Sequence, residues 1–303
     1  MRRVWILFTL SVSIAVSRTV AAADWPDGYV VYEGTESPDE RYGILVPTLE
    51  AWDKDGSLED TNYFADLKTH RLLGKIAGAD YFEHQNHRGL KTIWAPDSSW
   101  CVVQYDGRFG FDSISILEPK DSNFIQTDIG KRIDKALAAA INKKSHDGEE
   151  GGGGDATTYF RIGANRSVQV RAVSTTDPKE FDPKHAKYAL FFGTFDLRSK
   201  KWLSAESRAL QMGQYDVAVV VFSDIESDLK GESFSTEADK AKSLDERMNA
   251  VYSTARLILP AAQFAAVKQE QIKWLKQRDA ATSTDEKCNV MVARIKMLQK
   301  LLW

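Results

Sequence analysis

The apolar spacing of this chain changes near residue 225, and that change limits what the chain can build. Upstream, short runs of aromatic and β-branched residues are separated by turn chemistry, which is how strands read. Downstream of Ser223 the composition shifts to Ala, Lys, Glu and Gln, and apolar residues recur every three to four positions, which is how amphipathic helices read. The expected class is therefore α+β: a β-rich unit of twisted antiparallel sheets over 24–225, a linker over 226–242, and a three-helix domain over 243–303.

The upstream half repeats one device. Glu36-Ser37-Pro38-Asp39-Glu40-Arg41 leads into Tyr42-Gly43-Ile44-Leu45-Val46, and Ala95-Pro96-Asp97-Ser98-Ser99 leads into Trp100-Cys101-Val102-Val103-Gln104-Tyr105. Proline sets φ at the second turn position, aspartate caps the turn, and an apolar strand follows. Second strands are expected at Asn62–Leu67, turning through Lys68-Thr69-His70 into Arg71–Ile76, and at Ser113–Leu117. The pattern resembles β-propeller blades, in which such turns and a short D-x-x-T-G-like hairpin recur. Two units fall short of the four blades a closed ring requires, so incomplete propeller-like blades are expected.

Ile125, Ile129, Ile133, Leu137 and Ile141 stand four apart, which predicts one embedded helix over 123–142. The following stretch, 143–155, contains Gly151 to Gly154 and no large apolar side chain, and reads as a flexible loop. Strands are then expected at Thr157–Ile162, Ser167–Val173, Tyr188–Leu197, Trp202–Leu210 and Tyr215–Phe222. In the tail, Ser243-Leu244-Asp245-Glu246 and Ser283-Thr284-Asp285-Glu286 fit the capping box. They predict helices over 243–259, 261–281 and 284–301, with Pro260 ending or kinking the first.

The first 23 residues read as a secretory signal: Arg2 and Arg3, the apolar run Ile6 to Val16, then the small residues Ala21-Ala22-Ala23. The alternative, an uncleaved membrane anchor, is disfavoured by an apolar core shorter than the ~20 residues a span requires. A periplasmic or secreted location follows, with no membrane span after cleavage, since later apolar runs are too short to cross a bilayer. The whole chain carries 40 basic and 43 acidic residues. A mildly acidic chain is a poor general binder of nucleic acid, but can attract a cationic partner. Cys101 and Cys288 can pair in an oxidising compartment or remain two buried thiols.

The tail carries a resemblance. Met248-Asn249-Ala250-Val251-Tyr252, then Gln271-Ile272-Lys273-Trp274-Leu275-Lys276-Gln277-Arg278-Asp279, then Lys287-Cys288 and Arg294 with Leu298, resemble the LprI-type lysozyme-inhibitor domain over about a fifth of the chain. The resemblance implies that Asn249, Tyr252, Gln271, Trp274, Arg278, Asp279, Cys288 and Arg294 are the motif residues. Trp274 would wedge between helices, and Asn249, Arg278 and Asp279 would form a polar clasp. Family members usually carry several cysteines that staple the helices, whereas only Cys288 stands here.

Residues that carry chemistry elsewhere have plainer readings here. Glu83, His84 and His87 could supply zinc ligands if they lay on a helix, but Gly78 and Gly89 flank them and a polar loop is the better reading. His70, His146 and His185 are scattered. No G-x-S-x-G, H-E-x-x-H or phosphate-loop motif occurs, and nothing selects two of the many carboxylates as a catalytic pair. No catalytic residue, metal or cofactor is therefore assigned. Strand alternation puts Trp100, Val102 and Gln104 on one face and Cys101, Val103 and Tyr105 on the other, with core packing the commoner fate of such aromatic rows. The function expected is a non-enzymatic envelope protein that binds lysozyme or another cationic cell-wall hydrolase. The alternatives are a periplasmic hydrolase with hidden carboxylates in the β unit, and a structural interaction module.

Overall fold

Each stretch of alternating apolar residues in the first two-thirds of the chain becomes part of an antiparallel meander. The computed structural model describes residues 25–141, 155–163, 165–177, 184–211 and 233–303, with a few isolated residues between 214 and 229. The secretory-signal reading, and the loop reading up to Gly154, lie outside the described residues.

Three four-stranded sheets follow one another in chain order. Sheet 1 holds β1 (Tyr29–Val31), β2 (Tyr42–Pro47), β3 (Tyr63–Asp66) and β4 (Arg71–Lys75), with the short helix α1 (Leu49–Lys54) between β2 and β3. Sheet 2 holds β5 (Gly89–Trp94), β6 (Cys101–Gly107), β7 (Gly110–Lys120) and β8 (Asn123–Asp128). Helix α2 (Gly130–Ala140) follows, then sheet 3 with β9 (Asp155–Gly163), β10 (Ser167–Thr175), β11 (Tyr188–Asp196) and β12 (Lys201–Leu210). Three helices end the chain: α3 (Glu237–Ile258), α4 (Ala261–Asp279) and α5 (Thr284–Leu302).

The repeated turns share geometry as well as sequence. Glu40 and Ser98 occupy the same place in their turns, and both take left-handed φ values of 57°. The turn carboxylates Asp39 and Asp97 each accept from the backbone N–H two residues on, that of Arg41 (3.2 Å) and that of Ser99 (3.1 Å). The two turns also touch, because the Asp39 N–H donates to Ser98 Oγ at 3.2 Å. A second device closes hairpins. The Thr69 N–H donates to Asp66 Oδ1 at 3.1 Å, with His70 at φ 52°. The Ser199 N–H donates to Asp196 Oδ2 at 2.9 Å, with Lys200 at φ 55°. The second instance, Asp196-Leu197-Arg198-Ser199, is a hairpin signal that strand spacing alone did not pick out. The propeller comparison reaches no further than these turns, since three sheets fall short of a closed ring.

The sheets stack face to face through separate cores. Ile44, Phe64, Leu73 and Tyr81 of the sheet 1 unit pack on Cys101, Val103, Tyr105 and Leu117 of sheet 2. The other face of sheet 2, with Trp100, Val102, Ile114 and Ile116, packs on α2 and on Val168, Val170 and Phe191 of sheet 3. Alternation along β6 thus fills two cores at once, and Trp100 and Tyr105 are both buried. Gln104 faces sheet 3, where its side-chain oxygen accepts from the Thr158 hydroxyl and its amide donates to Asp106. The remaining face of sheet 3, with Val173, Tyr188, Leu190 and Leu210, packs on Leu244, Met248, Val251, Met291, Ile295 and Leu298 of the helices.

Three expectations are corrected. The embedded helix starts at Gly130 and not at residue 123, because Asn123–Asp128 pairs with β7 from Lys120↔Asn123 to Ser115↔Asp128. Asp121, in left-handed backbone at φ 48°, makes that hairpin turn, and Ile125 is left 40% exposed while Ile129, Ile133, Leu137 and Ile141 are buried. No side chain fits at Gly130, since a Cβ there would meet the Ile114 backbone nitrogen at 2.9 Å. In the stretch read as a strand over Tyr215–Phe222, the described residues Tyr215, Ala218 and Val221 are helical. Ala218, Val221 and Ile225 are buried against the helical core at helical spacing, so tertiary burial overrides β propensity there. Helix α3 begins at Glu237 and not near 243, because Thr236 caps it by accepting from the Asp239 N–H at 3.1 Å. The capping residue at α5 is Ser283 as read, accepting from the Glu286 N–H at 3.1 Å.

Asp66 carries a testable load. Burial opposes its ionisation, but the Thr69 N–H and the Arg41 guanidinium, 3.0 Å away, outweigh it and hold the carboxyl below its usual range. A carboxyl lowered in the folded state adds stability above its unfolded value, and that stability is lost as pH falls through the lowered value. Asp66→Asn is therefore expected to cost about 1–3 kcal/mol near neutrality. Urea unfolding followed from pH 7 to pH 3 should show a shallower acid dependence in the variant than in the parent.

Candidate functional site

The motif residues of the tail gather where α3, α4 and α5 meet. Trp274 is buried and its indole donates to the Val290 carbonyl at 3.3 Å, which ties α4 to α5. The Arg278 guanidinium lies 5.5 Å from the Trp274 ring centre. Arg278 pairs with Asp279 at 2.9 Å and reaches Asp245 of α3 at 2.9 Å. Asn249 meets the same Asp245 at 3.5 Å. Asp245 is therefore the acid through which Asn249 and Arg278 communicate, a residue the motif comparison did not single out although it stands in the Ser243–Glu246 signal.

A second polar contact sits deeper. The Arg294 Nε donates to Gln271 Oε1 at 3.0 Å, and both side chains are buried. Burial holds the Arg294 guanidinium below its usual pKa, an effect opposed by nearby Glu270 and Tyr252. Tyr252 packs on Phe264 with ring centres 5.4 Å apart. Cys288 is a free, buried thiol in the helical core, whereas Cys101 is a free, buried thiol in the core between sheets 1 and 2. Of the two readings of the cysteines, the structure takes that of separate thiols, because the core between sheets 2 and 3 lies between them. Burial pushes both thiols up, so they remain protonated and unreactive near neutrality.

The helical region is anchored to sheet 3 by one buried side chain. Arg171 of β10 is 7% exposed and donates from Nη2 to the carbonyls of Leu302 (2.7 Å) and Trp303 (2.9 Å) at the end of α5. Gln169 donates to the Trp303 carbonyl at 2.6 Å, and the Trp303 ring lies 5.2 Å from the Arg171 guanidinium. A cation at a helix C-terminus meets the negative end of the backbone dipoles and satisfies carbonyls that have no intrahelical partner.

The histidine segment forms a loop. His84 and His87 take left-handed φ values of 63° and 60°, so they do not share one face of a helix. A cleft of about 430 Å³ beside Gly78 is lined by Asp112, Ser113, Ser115, Gln126, Asp128 and Lys131. Both of its acids hold structure. Arg88 pairs with Asp112 and, at 2.8 Å, with Asp80. Asp128 accepts from the Lys131 N–H at 3.2 Å at the start of α2. Burial pushes the Asp112 carboxyl up, Arg88 opposes that, and Asp80 and Asp106 add to it.

Charge is distributed unevenly along the chain. Residues 24–60 contain 11 acids against two bases, whereas residues 231–303 contain nine acids against 12 bases. On the described part of the acidic segment Glu33, Glu36, Glu40, Glu50, Asp53 and Asp55 are exposed. Its two cations are already engaged, Arg41 with Asp66 at 3.0 Å and Lys54 with Glu50 at 2.8 Å. Leu49, 44% exposed, stands beside the acids of α1. Counting charge by segment exposes this asymmetry from the sequence alone, whereas the net charge of the whole chain hides it.

The family model of the lysozyme inhibitor LprI matches residues 231–299, which takes in α3, α4 and nearly all of α5. No curated protein and no solved structure matches the chain. No helix among the described residues is long and apolar enough to cross a membrane.

Proposed function

We propose that this protein is an exported, non-enzymatic binding protein that engages a cationic cell-wall hydrolase, lysozyme being the first candidate, and blocks it. The match of residues 231–299 to the lysozyme-inhibitor family carries the reading. The charge distribution refines it. The matched helices are themselves mildly basic, so long-range attraction of a cationic enzyme falls to the acidic segment 24–60. Helix α1 has no buried residue, and its exposed acids, with Leu49 beside them, offer a cationic partner an acidic surface with an apolar contact. The acids of the Gly78 cleft are committed to Arg88 and to the start of α2, which favours binding over hydrolysis.

The test is a lysozyme activity assay with protein spanning residues 24–303. Dose-dependent inhibition is expected, weakening as salt is raised. Replacing Glu50, Asp53 and Asp55 together by lysine should weaken inhibition about tenfold or more at low salt, mainly through slower association. Reversing Lys273 and Lys276 on α4 should change it little. Retained inhibition in the acidic-segment variant with loss in the α4 variant would move the contact to the helices. No inhibition by the parent protein at any concentration would remove the reading. Point variants suit this test better than removing the tail, because truncation would bare Val173, Tyr188 and Leu190 of sheet 3.

A further inference from the structure

Strand β12 forms one edge of sheet 3, pairing only with β11 among the described residues. It is ten residues long and contains no proline. An edge strand of that length presents a row of backbone donors and acceptors on its outer side, which proteins usually guard with lysines or bulges. The guards here are confined to its first half. Lys201 opens the strand, and the β11 ladder shifts register opposite Leu203, so that Thr194 pairs with Ser204 and Phe195 with Trp202. Leu203, at the bulge, is 68% exposed. From Ser204 to Leu210 the ladder is regular, and no strand among the described residues pairs with the far edge.

That unguarded half is complementary to itself. An antiparallel pairing of two copies centred on Ser207 sets Glu206 opposite Arg208 of the second copy, twice by symmetry. It also sets Ala205 opposite Ala209, twice, on the other face of the sheet. Opposite charges directly across an antiparallel pair attract, and the small side chains present no obstacle on the face that α2 covers. Glu206 and Arg208 are both exposed, and within one chain they approach only to 3.8 Å. We infer that β12 is a homodimerisation edge, and that two copies join their third sheets into one continuous eight-stranded sheet through Ser204–Leu210.

Analytical ultracentrifugation of protein spanning residues 24–303, from about 1 to 100 μM, tests the inference across the range of transient interfaces. A reversible monomer–dimer equilibrium is expected. Glu206→Arg alone should raise its dissociation constant about tenfold or more, since both symmetric pairs become repulsive. Arg208→Glu should do the same, and the double variant Glu206→Arg with Arg208→Glu should restore dimerisation to about threefold of the parent. Because Arg208 also donates to the Leu257 carbonyl at 2.6 Å, its single variant is read only alongside Glu206→Arg and the double variant. A monomer throughout the range, or a dimer indifferent to Glu206→Arg, would overturn the inference. So would a double variant that remains as weak as Glu206→Arg.

Discussion

Trp274→Ala is expected to lower the unfolding free energy by about 3–5 kcal/mol, the range for a large aromatic truncated in a packed interior. The indole is buried in the core shared by sheet 3 and the helices, where Met291, Ile295 and Leu298 also lie. Truncation opens a cavity that α4 is poorly placed to close, because Val267, Gln271 and Trp274 are its only buried residues. The Val290 carbonyl loses a donor, and the Arg278 guanidinium loses the ring beneath it. Trp274→Phe restores most of the apolar volume but not the N–H, and should cost less than half as much. Urea unfolding monitored by far-UV circular dichroism provides the measurement. A loss below about 1 kcal/mol for the alanine variant would mean that α4 collapses onto the gap, and that its packing is looser than the described burial implies.

Arg171→Ala is expected to be the second largest effect, about 2–4 kcal/mol. Two opposing contributions decide its size. Removing the guanidinium relieves the cost of keeping a charge buried, a cost visible in a pKa lowered to about 10 by burial. It also strands the carbonyls of Leu302 and Trp303, which accept from that one side chain at 2.7–3.0 Å. Leaving buried acceptors without donors exceeds the relief, because the second turn-end carbonyl has only Gln169 in reserve. Arg171→Lys should recover only part of the loss, since an ammonium is a point donor and cannot span both oxygens as the planar fork does. Faster amide exchange confined to the last turn of α5 would show that the anchor acts there. An alanine variant as stable as the parent would show that apolar contact, with the remaining Gln169 and Arg208 hydrogen bonds, suffices to hold the helical layer to sheet 3.

Much of this fold is legible in the sequence, because its signals are local. Aromatic and β-branched runs placed β6, β7 and β10–β12, alternation assigned the faces of β6, and the proline–aspartate turns placed the starts of β2 and β6, since turn geometry depends on four or five consecutive residues. The tail helices were legible for the same reason: spacing of three and four, Ser283 as a cap, and Pro260 as a stop. The motif residues Trp274, Arg278 and Asn249 could be named from sequence, but the acid that joins them, Asp245, could not, since it is one of several carboxylates on α3 and only the crossing of α4 over α3 selects it.

What the sequence left undecided turns on contacts between distant segments. Ile125 continues a helical spacing that ends in truth at Ile129, because β7 offers Asn123–Asp128 a strand partner that local periodicity cannot see. Tyr215, Ala218 and Val221 have strand-forming neighbours yet are helical, because the core beneath the tail helices rewards a spacing of three to four. Cys101 and Cys288 lie 187 positions apart in sequence, and their separation in space follows from the order in which three sheets stack, a property no spacing rule contains. Arg171 reads as an ordinary strand residue until the end of α5 is laid over it. The amino-acid sequence by itself determined the elements and their faces, through steric and hydrogen-bonding preferences that act within a few residues. Only the tertiary structure decided which faces meet, which charges share a core and which edge stays open, since burial is a property of two surfaces at once.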